Sequence, residues 1–76
     1  MTKSPASIRV LQTIPKAPDL ECHLRVIEVE GIKVLELRDF IPSLGSYGRG
    51  YWIPLRPEEV FSLINGMTDA VNSEVL

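Results

Sequence analysis

The chain has 76 residues, a formal net charge of −2 and one cysteine. That length admits a single small domain with a modest core, so a partner subunit is the expected source of further stability. One cysteine excludes an internal disulfide framework and suits a reducing compartment, and no apolar run approaches the roughly 18 residues that a membrane span needs. The N-terminal MTKSPASIRV lacks the long apolar core of a signal peptide, and the expectation is a soluble cytoplasmic protein that oligomerises. Charge is unevenly spread. Residues 1–56 carry every Lys and Arg and sum to +2, whereas residues 57–76 hold four acids, no base and sum to −4. This is a polarity between two halves and not the strong basic footprint usual in nucleic-acid binders.

Residues 1–7 are small, polar and Pro-containing, and read as a flexible N-terminus. Residues 8–14 alternate Ile8, Val10, Gln12 and Ile14 against Arg9, Leu11 and Thr13, the pattern of a first strand. Pro15 and Pro18 mark a loop, because proline removes a donor and fixes φ. Residues 22–30 form a second strand and residues 32–40 a third. Gly31 leaves so short a connection that the two must pair as an antiparallel hairpin. Within the hairpin, alternation puts Leu24, Val26, Leu35 and Leu37 on a covered face. His23, Arg25, Ile27, Val29, Val34, Glu36, Arg38 and Phe40 fall on an open one. Ile27 and Val29 make that open face more apolar than solvation requires, which is the mark of an interface.

Residues 41–50 contain Pro42, Gly45, Gly48 and Gly50 and read as irregular. A fourth strand follows over 51–55, with Pro54 confining it to an edge, an end or a bulge. Pro57, Glu58 and Glu59 then start a helix, with proline at the first helical position and acids complementing the dipole. Val60, Leu63, Ile64 and Met67 recur at helical spacing. The helix is expected over 57–67, with 68–76 as its extension or a tail. The fold class is α+β: a single domain in which a four-stranded antiparallel sheet over 8–56 precedes one C-terminal helix, covered on one face only.

Few residues invite chemistry. Cys22 and His23 are adjacent on a strand and point to opposite faces, so they cannot hold one metal ion or act as a nucleophile pair. Glu28, Glu30 and Glu36 surround no pocket in the sequence pattern, and a solvated strand edge is the better account of them. Gly45, Gly48 and Gly50 lack the Gly-Lys-Ser/Thr and the strand–loop–helix setting of a phosphate loop, and read instead as a tight connection presenting Tyr47 and Arg49. No catalytic residue, metal or cofactor is expected. Phe40, Tyr47, Tyr51 and Trp52 interleave with Arg38, Arg49 and Arg56. From composition, packing in a core or dimer interface comes first, but the same mixture suits single-stranded nucleic acid, where each stacked base contributes roughly 1–3 kcal/mol.

The order of short motifs resembles a known family. Arg38-Asp39-Phe40, then Gly48-Arg49-Gly50, then Ile53-Pro54-Leu55-Arg56-Pro57-Glu58-Glu59 is similar to the transcriptional positive cofactor four family of single-stranded DNA-binding coactivators, whose fold the Whirly proteins share. The likeness spans residues 8–66. It implies a strongly curved sheet with a C-terminal helix, dimerised so that two sheets form a concave nucleic-acid surface. Arg38, Phe40, Lys33 and Arg49 are carried onto that surface by position. Arg25 joins them by alternation, and Tyr47 and Trp52 as stacking rings.

The expectation is therefore a homodimer that binds single-stranded DNA or RNA with little sequence preference. Arg25, Lys33, Arg38 and Arg49 would meet phosphate, and Phe40, Tyr47 and Trp52 would meet bases. A nucleoid-associated role in transcription, with the transcription machinery as a further partner, is what the resemblance implies. The alternative is a homodimeric protein-interaction module of the same fold, using Ile27 and Val29 as contacts.

Overall fold

In a computed structural model, which describes residues 7–74, the chain forms β1 (Ser7–Ala17), β2 (Leu20–Val29), β3 (Ile32–Ile41), β4 (Ser46–Ile53) and the helix α1 (Pro57–Asn72). The strands build one curved, open antiparallel sheet in the order β1-β2-β3-β4, followed by the single helix. The α+β order expected from the sequence is the order found. The expected flexible stretch 1–7 lies, except for Ser7, outside the described residues, as does the end of the expected tail.

The β2–β3 turn sets the register of the sheet. Glu30 and Gly31 have φ of 53° and 80°, the doubly left-handed pair that a two-residue hairpin turn requires. From that turn the pairing runs without interruption: Val29 opposite Ile32, Ile27 opposite Val34, Arg25 opposite Glu36, His23 opposite Arg38, Glu21 opposite Phe40. Residues directly opposite one another share a face, so each pairing is a statement about side chains as well as backbone.

Both edge strands differ from the sequence reading. β1 continues through Pro15 to Ala17, because an edge strand can leave the proline without a ladder bond. A register shift between Val10 and Gln12 makes Leu11 an extra residue. The expected alternation therefore breaks there: Ile8 and Val10 share the face of Ile27 and Arg25, whereas Gln12 and Ile14 share that of Leu24 and Cys22. Bulges and an edge proline also blunt a long exposed strand against pairing with another sheet. β4 begins at Ser46, so Tyr47 to Gly50 are strand and not irregular connection; the turn is confined to 42–45. A second shift, between Arg38 and Phe40, lets β4 absorb the glycines as a bulge opposite Asp39.

The helix faces Gln12, Ile14, Leu24, Leu35, Leu37 and Ile53 with Val60, Leu63, Ile64 and Met67, across a space of about 260 Å³. It runs through Gly66 to Asn72, longer than the expected 57–67, because one glycine costs a helix only about 1 kcal/mol. The backbone N–H of Arg56 donates to Glu59 Oε1 at 2.9 Å, closing the first turn. That bond, with a further one from the Arg56 side chain, holds the Glu59 carboxyl below its ordinary value. No helix residue is buried.

The face away from the helix holds the most enclosed side chains. Ile27, Glu36, Arg25 and His23 are buried there, although alternation marked this face as open. Among the described residues, Arg25, Glu36 and His23 pack with Arg38, Phe40 and Tyr47 across β2, β3 and β4. Ile27 is the one buried hydrophobic residue among those described.

Candidate nucleic-acid interface

On the inner face the cross-strand pairings lay side chains out in rows. One row runs Val10, Arg25, Glu36, Trp52; the next Thr13, His23, Arg38, Gly50; the next Pro15, Glu21, Phe40, Tyr47. Polar and aromatic groups from β2, β3 and β4 are thereby stacked in register above a nearly apolar first row of Ile8, Ile27 and Val34.

Glu36 is the centre of the polar part. Its Oε1 accepts from Arg25 Nε at 2.8 Å and Nη2 at 2.6 Å, and its Oε2 accepts from Arg38 Nη2 at 3.0 Å and Trp52 Nε1 at 3.2 Å. Burial by itself would push the carboxyl up, but the bonds from Arg38 and Arg25 outweigh it and hold Glu36 below the usual range. The bond to Glu36 in turn raises Arg38 further above its ordinary value. A buried carboxylate shared by two arginines is costly to desolvate and costlier to leave half-paired. Arg38 also donates from Nη1 to the Gly48 carbonyl at 2.9 Å. Its Nε is buried without an acceptor, because the side chain lies flat across Gly50.

The upper rows form an aromatic cluster. Phe40 stacks on His23 with ring centres 4.7 Å apart, and Tyr47 lies 4.8 Å from Phe40. The Arg25 guanidinium sits over the Tyr47 ring at 4.2 Å. His23 Nε2 is 2.9 Å from Glu21 Oε1 and Nδ1 is 2.9 Å from Tyr47 Oη. A carboxylate only accepts, so the ring donates from Nε2 to Glu21, and the direction of the Nδ1–Tyr47 bond follows from the tautomer.

Five of the seven residues carried to this surface are gathered on it: Arg25, Arg38, Phe40, Tyr47 and Trp52. Their availability differs. Arg25 is buried, Phe40 is half-buried against His23, and Tyr47 has one ring face under Arg25. Arg38 keeps 29% of its side chain open, and Trp52 is 54% exposed. Arg49 is exposed on the bulge of β4. Lys33 stands opposite Glu28 on the other face of the sheet, where it lines a hollow with Val26, Leu35 and Pro57. It is not part of the inner surface. Cys22 and His23 do fall on opposite faces, Cys22 opposite Asp39 and His23 opposite Arg38.

Glu36, expected on a solvated strand edge, is instead 1% exposed on a central strand. Sequence reasoning gave His23 and Gly50 no part in the surface and passed over Glu21. The signal for Glu36 was available: a two-residue turn at Glu30-Gly31 fixes Arg25 opposite Glu36 by counting outward. Gly50 had none, since the need for its missing side chain arises only from the path of Arg38. Ile27, read as an interface contact, is 2% exposed and already enclosed within the chain itself. Compared with protein-family models, curated proteins and solved structures, the chain matches none.

Proposed function

We propose that the protein is a homodimer that binds single-stranded DNA or RNA through the inner face of its sheet, as a coactivator-like or strand-protecting protein of the cytoplasm and nucleoid. The observation that carries this reading is Trp52. An aromatic residue of a small sheet is ordinarily core, yet Trp52 is 54% exposed on the face that the helix leaves free. Its position is kept by a polar bond from Nε1 to Glu36, which leaves the ring available for a base. Arg38 and Arg49 supply cations nearby along β3 and β4. The reading is one of binding and not of catalysis. The resemblance to the transcriptional positive cofactor four family supports it, and among the described residues no helix is long and apolar enough to cross a membrane.

The dimer is supported by the apolar surface of the helix, where Phe61, Ile64, Met67 and Val71 are all at least half exposed.

Titration of Trp52, the sole tryptophan, with a single-stranded oligonucleotide across a salt series tests the proposal. Fluorescence quenching is expected at low salt, with affinity falling by a logarithmic slope of about 0.7 for each phosphate contacted. No binding at low salt sinks it. A second reading, a protein-interaction module of the same fold, is favoured by one observation: Glu36 already pairs with both Arg25 and Arg38. On that reading Trp52 is a protein contact and the titration stays flat.

A further inference from the structure

Glu36 is 1% exposed and cannot itself meet a ligand. Its two oxygens serve different ends. Oε1 is taken by Arg25, which is buried with it; Oε2 is taken by Arg38 and Trp52, the two groups of this cluster that reach solvent. The donor nitrogens on Oε2 therefore lie within about 6 Å of each other, the sum of two hydrogen bonds. Arg38 has a second anchor on the Gly48 carbonyl and lies pressed against Gly50. A ring and a guanidinium are thus held side by side by one atom, with Trp52 54% exposed and 29% of the Arg38 side chain open to solvent.

We propose that Glu36 is the positioning residue of the inner face, fixing Trp52 and Arg38 as one two-part contact that takes the base and the phosphate of a single unpaired nucleotide. This rests on the nucleic-acid reading above and adds to it the residue on which binding depends. A purely stabilising ion pair would need only Arg25 and Oε1. Bulk electrostatics predicts the opposite sign for its removal, because deleting a carboxylate beside a polyanion site strengthens binding. The positioning role predicts weaker binding, since an untethered ring and guanidinium must be ordered at the moment of association.

Two variants carry the test: Glu36→Gln, and the double variant Arg25→Met with Glu36→Met. The double variant leaves the net charge unchanged and replaces the buried pair by apolar side chains. Arg38, 29% exposed, loses its bond to Glu36 but keeps the one to the Gly48 carbonyl and can turn its Nη2 to solvent. Binding of a fluorescein-labelled oligothymidylate is measured at fixed salt, and the time-resolved anisotropy of Trp52 is measured without ligand. Both variants are expected to bind about tenfold more weakly or worse, the scale of losing one stacked base, with faster depolarisation of Trp52. Binding as tight as or tighter than the parent's by either folded variant overturns the proposal, as does unchanged depolarisation. If circular dichroism finds Glu36→Gln unfolded, the double variant decides. A parent that binds no oligothymidylate at low salt overturns the nucleic-acid reading itself, and the anisotropy then decides separately whether Glu36 holds the ring.

Discussion

A methyl group at position 50 would stand 2.7 Å from Arg38 Nε, 2.9 Å from its Cζ and 3.1 Å from its Cβ. Arg38 cannot give way freely, because its guanidinium is tied to Gly48 and Glu36. Gly50→Ala is therefore expected to cost about 1–3 kcal/mol, the scale of overpacking or of stranding a buried polar group. Urea unfolding followed by circular dichroism measures it, and an unchanged midpoint would mean that the arginine is not held there. Glu36 gives the second prediction at this scale. Its carboxyl titrates lower in the folded chain than in the unfolded one, where about 4.3 is usual. Its contribution to stability is thus complete above that unfolded value and is lost as pH falls through the folded one. The parent should lose stability steeply as pH drops below about 4, in the acid limb set by that unfolded value. The variant with methionine at both 25 and 36 should show a flatter limb in the same series of unfolding curves. An equally steep limb in both would place the acid sensitivity on other carboxylates.

Each element carries a local reason for its form and a local departure from the simplest pattern. The hairpin of β2 and β3 needs only its turn, since Glu30 and Gly31 set the register and the register sets both faces. The edge strands need their bulges: without the extra residue at Leu11, Gln12 and Ile14 would leave the helix side, and without the bulge opposite Asp39, Tyr47 and Gly50 would not share the inner face. The helix holds a glycine in mid-span. A Cβ at Gly66 meets nothing within 4 Å, so Gly66→Ala should stabilise the protein by up to about 1 kcal/mol. For a domain of this size that is a rise in Tm of about 4–8 °C, read by thermal unfolding at fixed protein concentration. A fall in Tm would show that position 66 is packed against a partner in solution. The aromatic–arginine mixture was visible in the sequence, but its division was not: Phe40 and Tyr47 cluster, Trp52 is exposed on the inner face, and Tyr51 is exposed opposite Leu37 on the other. That division depends on which residues the β4 bulge brings opposite Arg38 and Phe40.

For the whole molecule, the radius of gyration is 14.2 Å, against about 11.4 Å for a compact chain of 76 residues. One sheet with a helix standing off it does not close a core, as the exposed helix and the unfilled space behind it make plain. Phe61 is 69% exposed, so Phe61→Glu should leave the protomer's fold intact while weakening association of two copies. Sedimentation equilibrium of parent and variant is expected to give a dimer and a monomer respectively. A monomeric parent at micromolar concentration would remove the joint groove of two sheets and leave each inner face alone.

The succession of four strands and a helix, the β2–β3 hairpin, the start of the helix and the separation of Leu24, Leu35 and Leu37 from Arg25 and Arg38 all follow from this sequence by itself. They rest on local rules: alternation in a strand, a turn that admits positive φ, proline and acids at a helix start. Which face encloses its side chains did not follow. Alternation distinguishes two faces without saying toward which of them the sheet curves, and curvature is a property of four strands and three register shifts together. For that reason Ile27, Arg25 and Glu36 are buried where an open surface was expected. For the same reason Arg25 is committed to Glu36 and Tyr47, Lys33 lies on the far side, and Trp52 beside Arg38 is what the inner face still offers to a ligand.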